Sequence, residues 1–255
     1  MNDWFTIEKI DEDTFAISEY GHWEQTHCYL LLGTRKALLI DTGLGVLNIE
    51  EVVRSITSLP VVVATTHAHW DHIGGHRFFS EIAVHEAEAA WLSGAHPMPF
   101  SDVMQGLVRS DCSFPEEFDP VQYRIYEGGA SILLRDHSIL DDLGARTIEA
   151  IHTPGHSPGH VCFYEPARRY LYTGDLIYAG CLYAFFPSTD PVQYRQSVKK
   201  IWELPVARLL PAHNRLDLPV SIIGEIDAAF DRLYLGGKLG HGAGTFDFGE
   251  FSIRL

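Results

Sequence analysis

The sequence predicts a layered α/β protein whose site lies along one edge of its sheets. Apolar, β-branched runs alternate with stretches of helical periodicity, the β-α-β pattern of a sheet covered by helices on at least one face. Strands then run into loops carrying metal-ligand side chains four times over: His67, His69, Asp71 and His72 in the first, then His156, Asp175 and His213. In layered α/β folds the strand-end edge is where sites are built. The length of 255 residues, 46% hydrophobic and 21% charged, fits one large globular domain with ample core.

Residues 14–20, 28–32 and 36–40 read as strands, the last two joined by the tight turn Gly33-Thr34-Arg35. Asp41-Thr42-Gly43-Leu44-Gly45 follows, and Asp41 serves either the turn itself or the orientation of a nearby metal loop. Residues 49–59 have helical periodicity with Glu50 and Glu51 in the first turn, and Pro60 closes them. The buried strand 61–66 comes next, then the histidine-rich loop, strand 82–85 and helix 86–92. Residues 94–120, with four prolines and aromatic Phe100, Phe114 and Phe118, read as a partly helical lid inserted over the site. Strands return at 131–134, 147–152, 161–165 and 170–172; a helix over 191–202 leads to strand 208–210. Residues 218–255 read as a tail made of a helix, a glycine-rich linker and a final alternating strand. The expectation is a single domain over 1–255 with these two appendages.

His67-Ala68-His69-Trp70-Asp71-His72 is the stretch on which the chemistry turns. In extended chain, side chains two apart face the same way, so His67 and His69 can reach one metal together. Asp71 and His72 follow as the chain turns and can address a second. Neutral imidazoles with a carboxylate and no thiolate suit zinc, iron or manganese. A histidine-rich loop that merely packs is the alternative for any single His, but not for four ligand-type residues in six positions.

The formal charge of −15 repels phosphate backbones and anionic lipid, which counts against nucleic-acid and membrane-surface roles. Cys28, Cys112, Cys162 and Cys181 form no C-x-x-C pair and read as buried thiols of a reducing compartment. Met1-Asn2-Asp3-Trp4 has no secretory pattern, and no apolar run approaches the roughly 20 residues of a membrane span. The expectation is a cytoplasmic protein, monomer or homodimer, whose partner is a small molecule rather than nucleic acid or membrane.

Residues 66–75, Thr66-His67-Ala68-His69-Trp70-Asp71-His72-Ile73-Gly74-Gly75, resemble the signature of the metallo-β-lactamase-fold hydrolases. Thr153-Pro154-Gly155-His156, Thr173-Gly174-Asp175 and Pro211-Ala212-His213 continue the resemblance in the family's order, over about residues 10 to 220. It implies a four-layered αβ/βα sandwich with two mixed β-sheets flanked by helices. It implies, too, that His67, His69 and His156 hold one divalent metal, that Asp71, His72 and His213 hold another, and that Asp175 bridges them. The implied metals are zinc, with iron or manganese as alternatives, and the implied nucleophile is a hydroxide bridging them.

Asp175 is similar to the bridging Asp of glyoxalase II-like thioesterases and acyl-homoserine-lactone lactonases, which leans the expectation toward an ester, thioester or lactone carbonyl. Residues 174–180 also resemble an acyl-CoA thioesterase subgroup. Tyr178 resembles the lactonase tyrosine that donates to the substrate carbonyl oxygen; packing within an aromatic segment is its other reading. With Asp71, which orients the nucleophile or carries its proton, it completes the expected catalytic pair. A β-lactamase-type amide hydrolase, a phosphodiesterase and a non-hydrolytic iron-binding sensor are the alternatives. His22, Trp23 and His27 flank the site in such folds and are candidates for substrate contact, whereas His85 and His160 read as structural.

Overall fold

The computed structural model describes residues 4–109 and 111–255. Met1-Asn2-Asp3, read above for a secretory pattern, and Ser110, inside the expected lid, lie outside the described residues. The chain divides into two compact units, Met1–Leu134 with Asp141–Thr147, and Arg135–Leu140 with Ile148–Leu255.

The first unit is built on a seven-stranded mixed sheet whose strands lie side by side in chain order. These are β1 (Thr6–Asp11), β2 (Thr14–Ser18), β3 (His27–Leu32), β4 (Ala37–Ile40), β5 (Val61–Ala64), β6 (Glu81–His85) and β7 (Ile132–Leu134). Pairing is antiparallel from β1 to β4 and parallel from β4 to β7. The central strands read as unbroken apolar runs, as parallel strands covered on both faces must, and all four residues of β4 and of β5 are buried.

Helix α1 (Ile49–Ile56) starts where the Asn48 side chain accepts from the Glu50 N–H, and it ends short of the expected residue 59. Thr57 is already extended. The two glutamates at its N-terminus complement the helix dipole. Two short helices, α2 (Trp70–Ile73) and α3 (Ala89–Leu92), follow the ends of β5 and β6.

The 94–120 stretch contains α4 (Phe100–Leu107), so it is partly helical as expected. Val103 and Leu107 on α4 are fully buried, in a cluster with Trp4, Leu44, Trp70 and Tyr123.

In the second unit a five-stranded sheet has the order β13-β11-β10-β9-β8. Its members are β8 (Ser138–Leu140), β9 (Ile148–His152), β10 (Val161–Glu165), β11 (Tyr170–Gly174) and β13 (Arg208–Pro211). Only the β11–β13 pair is parallel. A smaller sheet joins β12 (Gly180–Tyr183), β15 (Phe251–Arg254) and β14 (Thr245–Asp247) in that order. The final stretch is therefore a hairpin with a parallel partner in β12 rather than one continuous strand.

Helices α5 (Pro191–Trp202) and α6 (Ile222–Leu235) supply the apolar faces of this unit; Tyr194, Val198, Ile226 and Phe230 are fully buried. Asp190 caps α5 by accepting from the N–H groups of Val192 and Gln193, with Pro191 at the first helical position.

Candidate metal centre

The first unit presents His67, His69, Asp71 and His72 on the loop leaving β5 and on α2, all of them buried. The side chain of Asp41 organises them. Its Oδ1 accepts from the Thr66 N–H at 2.7 Å, and its Oδ2 accepts from the Thr66 hydroxyl at 2.7 Å and from His72 Nδ1–H at 2.9 Å. Because the Thr66 proton is committed to Asp41, its oxygen accepts from His67 Nδ1–H at 3.1 Å. One carboxylate thus sets both tautomers, and His67 and His72 each turn an Nε2 lone pair outward. His67 Nε2 lies 3.0 Å from His69 Nδ1, and His72 Nε2 lies 3.5 Å from Asp71 Oδ2.

Two further features hold the loop. Glu88, fully buried, accepts from the Ala68 N–H at 2.5 Å. Gly45 and Gly74 let the 41–45 and 72–75 loops touch backbone to backbone: a Cβ on Gly74 would lie 2.3 Å from the Leu44 carbonyl. Gly74 N–H donates to the Gly43 carbonyl across the same contact. The 41–45 loop rests in turn on Glu19, which accepts from Leu44 N–H, Thr26 Oγ1–H and Trp4 Nε1–H. Burial pushes the Glu19 carboxyl up to about 7, against the lowering effect of those three donors.

The second unit brings together His156, Asp175 and His213 from the ends of β9, β11 and β13. His156 Nδ1–H donates to the Tyr183 carbonyl at 3.1 Å, so its Nε2 faces Asp175 Oδ2 at 3.4 Å. His213 Nε2 lies 3.0 Å from Asp175 Oδ1. The two oxygens of Asp175 therefore address different imidazoles. His160, read as structural, accepts the Asp175 N–H on Nε2 at 3.0 Å and turns Nδ1–H to Thr153 Oγ1 at 2.9 Å.

Gly155, at φ +140°, lies against the backbone of Tyr194, where a Cβ would come within 2.3 Å. The Tyr194 hydroxyl sits between the Asp175 and Leu176 carbonyls at 2.7 and 2.8 Å.

The remaining candidates sit as follows. Tyr178 is buried, its ring 5.3 Å from that of His213, and its hydroxyl donates to the Cys181 carbonyl. His22 Nε2–H donates to Leu107 O at 3.0 Å and Trp23 Nε1–H to Gly106 O at 2.7 Å, so both fasten the end of α4. His27 bonds Ser18 at 2.8 Å, and His85 caps the turn that begins the 86–92 segment. Glu88 and Glu19 had no sequence signal. Each is an acidic residue among ordinary neighbours, and only the tertiary fold brings it to the loop it holds.

Comparison with known proteins agrees with this architecture. Residues 21–213 match the family model of the metallo-β-lactamase superfamily, and the chain belongs to that superfamily. The acyl-coenzyme A thioesterase MBLAC2 of Homo sapiens is 29% identical over 233 residues, covering 83% of this chain and 81% of its own. A hydroxyacylglutathione hydrolase of Mesorhizobium japonicum is 29% identical over 153 residues, 58% of this chain and 46% of its own. A metallo-β-lactamase from Pontibacter korlensis superposes with a TM-score of 0.68 over 89% of this chain and 99% of its own, at 18% identity, a likeness of fold. The α/β fold with mixed sheets and helices is the metallo-β-lactamase fold.

Proposed function

We propose that the protein is a dinuclear metal-dependent hydrolase of acyl carbonyl compounds, thioesters foremost, with esters and lactones in the same class. The observation that carries the reading is the likeness to an acyl-coenzyme A thioesterase over four-fifths of both chains, with all the expected donors buried on the strand-end loops.

The donor chemistry fits divalent metals. Neutral imidazoles with fixed tautomers, His67, His72 and His156, accompany two buried carboxylates, with no thiolate among them. His67, His69 and His156 would hold one metal and Asp71, His72 and His213 the other, with Asp175 shared, and zinc is the proposed ion. Such a pair, when bound, supplies a water acidified to a nucleophile near neutral pH and polarises the acyl carbonyl.

The chain's own residues do the rest. Asp41, through Thr66 and His72, keeps two imidazoles in the ligating tautomer. Asp71 orients the nucleophile and carries its proton to the leaving thiolate. Tyr178 donates to the developing oxyanion, which requires its hydroxyl to exchange the Cys181 carbonyl for substrate.

Residues 94–120 act as a lid, tethered by His22 and Trp23 to the end of α4. The whole reads as one catalytic domain whose 218–255 tail packs its apolar side chains into the second unit's core. The proposed setting is the cytoplasm, as a monomer or homodimer acting on a small acyl substrate rather than on nucleic acid or membrane. The charge of −15 and four free thiols support it. Among the described residues no helix is long and apolar enough to cross a membrane.

The test is a panel of acyl thioesters, lactones, esters, β-lactams and phosphodiesters with metal-replete protein, together with elemental analysis. Thioester turnover should dominate, with two metal equivalents bound. Preference for β-lactams or phosphodiesters, or saturation at one metal, overturns the reading.

A further inference from the structure

Beside the metal loop, wholly within the first unit, lies a cavity of about 680 Å³, within the range of small-molecule sites. Its lining joins two arginines, Arg77 and Arg124, to His96 and to the apolar Met98, Phe100 and Tyr126. In a chain of charge −15 this is an unexpected place for cations. Most other arginines and lysines meet carboxylates, as Lys36, Arg109, Arg195 and Lys199 do.

Arg77 and Arg124 have no carboxylate partner among the described residues. Arg77 donates to the Gly45 carbonyl and lies over the Phe78 ring, and Arg124 donates to the Val121 and Tyr123 carbonyls. His96 turns Nδ1 to the Met98 backbone, while its Nε2 is buried with no hydrogen-bond partner among the described residues. A buried ring nitrogen without a partner calls for a ligand or water. The single carboxylate on the lining is Glu127, beside Gly94.

We infer that this cavity receives the phosphorylated nucleoside end of a coenzyme A thioester. Guanidinium pairs suit phosphate oxygens, and Arg also stacks on rings. Phe100, Tyr126 and Met98 offer the apolar faces a purine needs. The cavity adjoins the metal loop through Tyr126. Its ring lies 5.4 Å from that of His76, which bonds Thr42 and Thr65. A nucleotide held here leaves the acyl end of the thioester directed toward the metal donors. The inference rests on the thioesterase reading for its substrate, but its binding test does not.

The experiment has two arms on the metal-replete protein. In the first, 3′-phosphoadenosine 5′-phosphate is titrated calorimetrically into the native chain and into Arg77→Gln, Arg124→Gln and Glu127→Gln. Saturable binding should weaken about tenfold with each arginine lost, as for one charge-assisted contact, and should weaken with salt. It should tighten a few-fold in Glu127→Gln, a gain that no folding defect can produce. In the second arm, acyl-CoA and the matching acyl-pantetheine are hydrolysed by the same proteins. The arginine variants should raise KM about tenfold for acyl-CoA alone, leaving acyl-pantetheine and kcat unmoved.

Absence of binding, or binding indifferent to all three substitutions, overturns the cavity assignment even if thioesters turn over. Binding with the expected pattern but no thioester turnover upholds it and removes the thioesterase reading instead.

Discussion

The two donor sets are delivered in opposite ways. In the first unit four ligand-type residues lie within six positions of one loop, and the loop is steadied by side chains reaching in from elsewhere, Asp41 and Glu88. In the second unit each donor ends a separate strand. The His156 tautomer is set by a backbone group, the Tyr183 carbonyl, and the side chains of His160 and Tyr194 hold main-chain atoms of the Asp175 turn. A contiguous loop lacks the ladder of hydrogen bonds that holds a strand end, so its precision depends on outlying carboxylates. The dispersed set borrows its precision from the sheet. The first should therefore be sensitive to substitutions that touch no metal, and the second chiefly to loss of its own donors.

The largest test of that contrast is Asp175→Ala. It removes the residue whose two oxygens face His156 and His213, and the expected result is more than a hundredfold loss of turnover, beyond what outer partners produce, with metal content below two equivalents. Retained stoichiometry would show that the second unit's imidazoles suffice without a bridge. Next in size is Asp41→Asn. Asn tolerates the φ of +58° found at this position, so the turn survives. The amide cannot accept from all three groups as the carboxylate does, so the tautomers of His67 and His72 are no longer fixed, and metal affinity should fall about 10–100-fold. An unchanged affinity would remove the asymmetry between the units.

Tyr178→Phe probes a side chain that touches the second set by packing alone. If the hydroxyl turns to the substrate oxyanion, kcat should fall about tenfold, worth about 1.4 kcal/mol, with both metals retained. An unaltered kcat on thioester, ester and lactone leaves the ring against His213 as its whole contribution.

The smallest effect is on stability. The Glu19 carboxyl beneath the 41–45 loop is raised from 4.5 to about 7 by burial. Between those values the folded chain keeps a proton that the unfolded chain has released, so stability falls as pH rises through that window. The slope is at most about 1.4 kcal/mol per pH unit. Melting temperatures across pH 4.5 to 7.5 should show a decline in the native chain that is reduced in Glu19→Gln; parallel curves would exclude Glu19 as its source.

How much of this was legible in the sequence follows the same contrast. The 67–72 loop declares itself because its ligands are adjacent and follow an apolar strand. His156, Asp175 and His213 are single residues, marked in the sequence only by their place in loops that follow strands, and the resemblance to a family was needed to assign each to a metal. Strand β1 escaped because TIEKID has no buried face: its residues are exposed or half-exposed, and it is held by pairing with β2. Strand β12 escaped because its pairing depends on β15, remote in sequence. The glycines at 45 and 74 signalled turns, but the backbone seam they allow is a tertiary fact.

Tyr194 on α5 touches two of the second unit's loops at once. The backbone of Gly155, next to His156, presses on its main chain, and its hydroxyl binds the peptide carbonyls of Asp175 and Leu176. One residue, its ring stacked at 4.9 Å on Phe230 of α6, is therefore a common mounting for the loops of two donors far apart in sequence. A shift of this helix would move His156 and Asp175 together and keep their spacing. In that respect these two donors, far apart in sequence, form one mechanical piece.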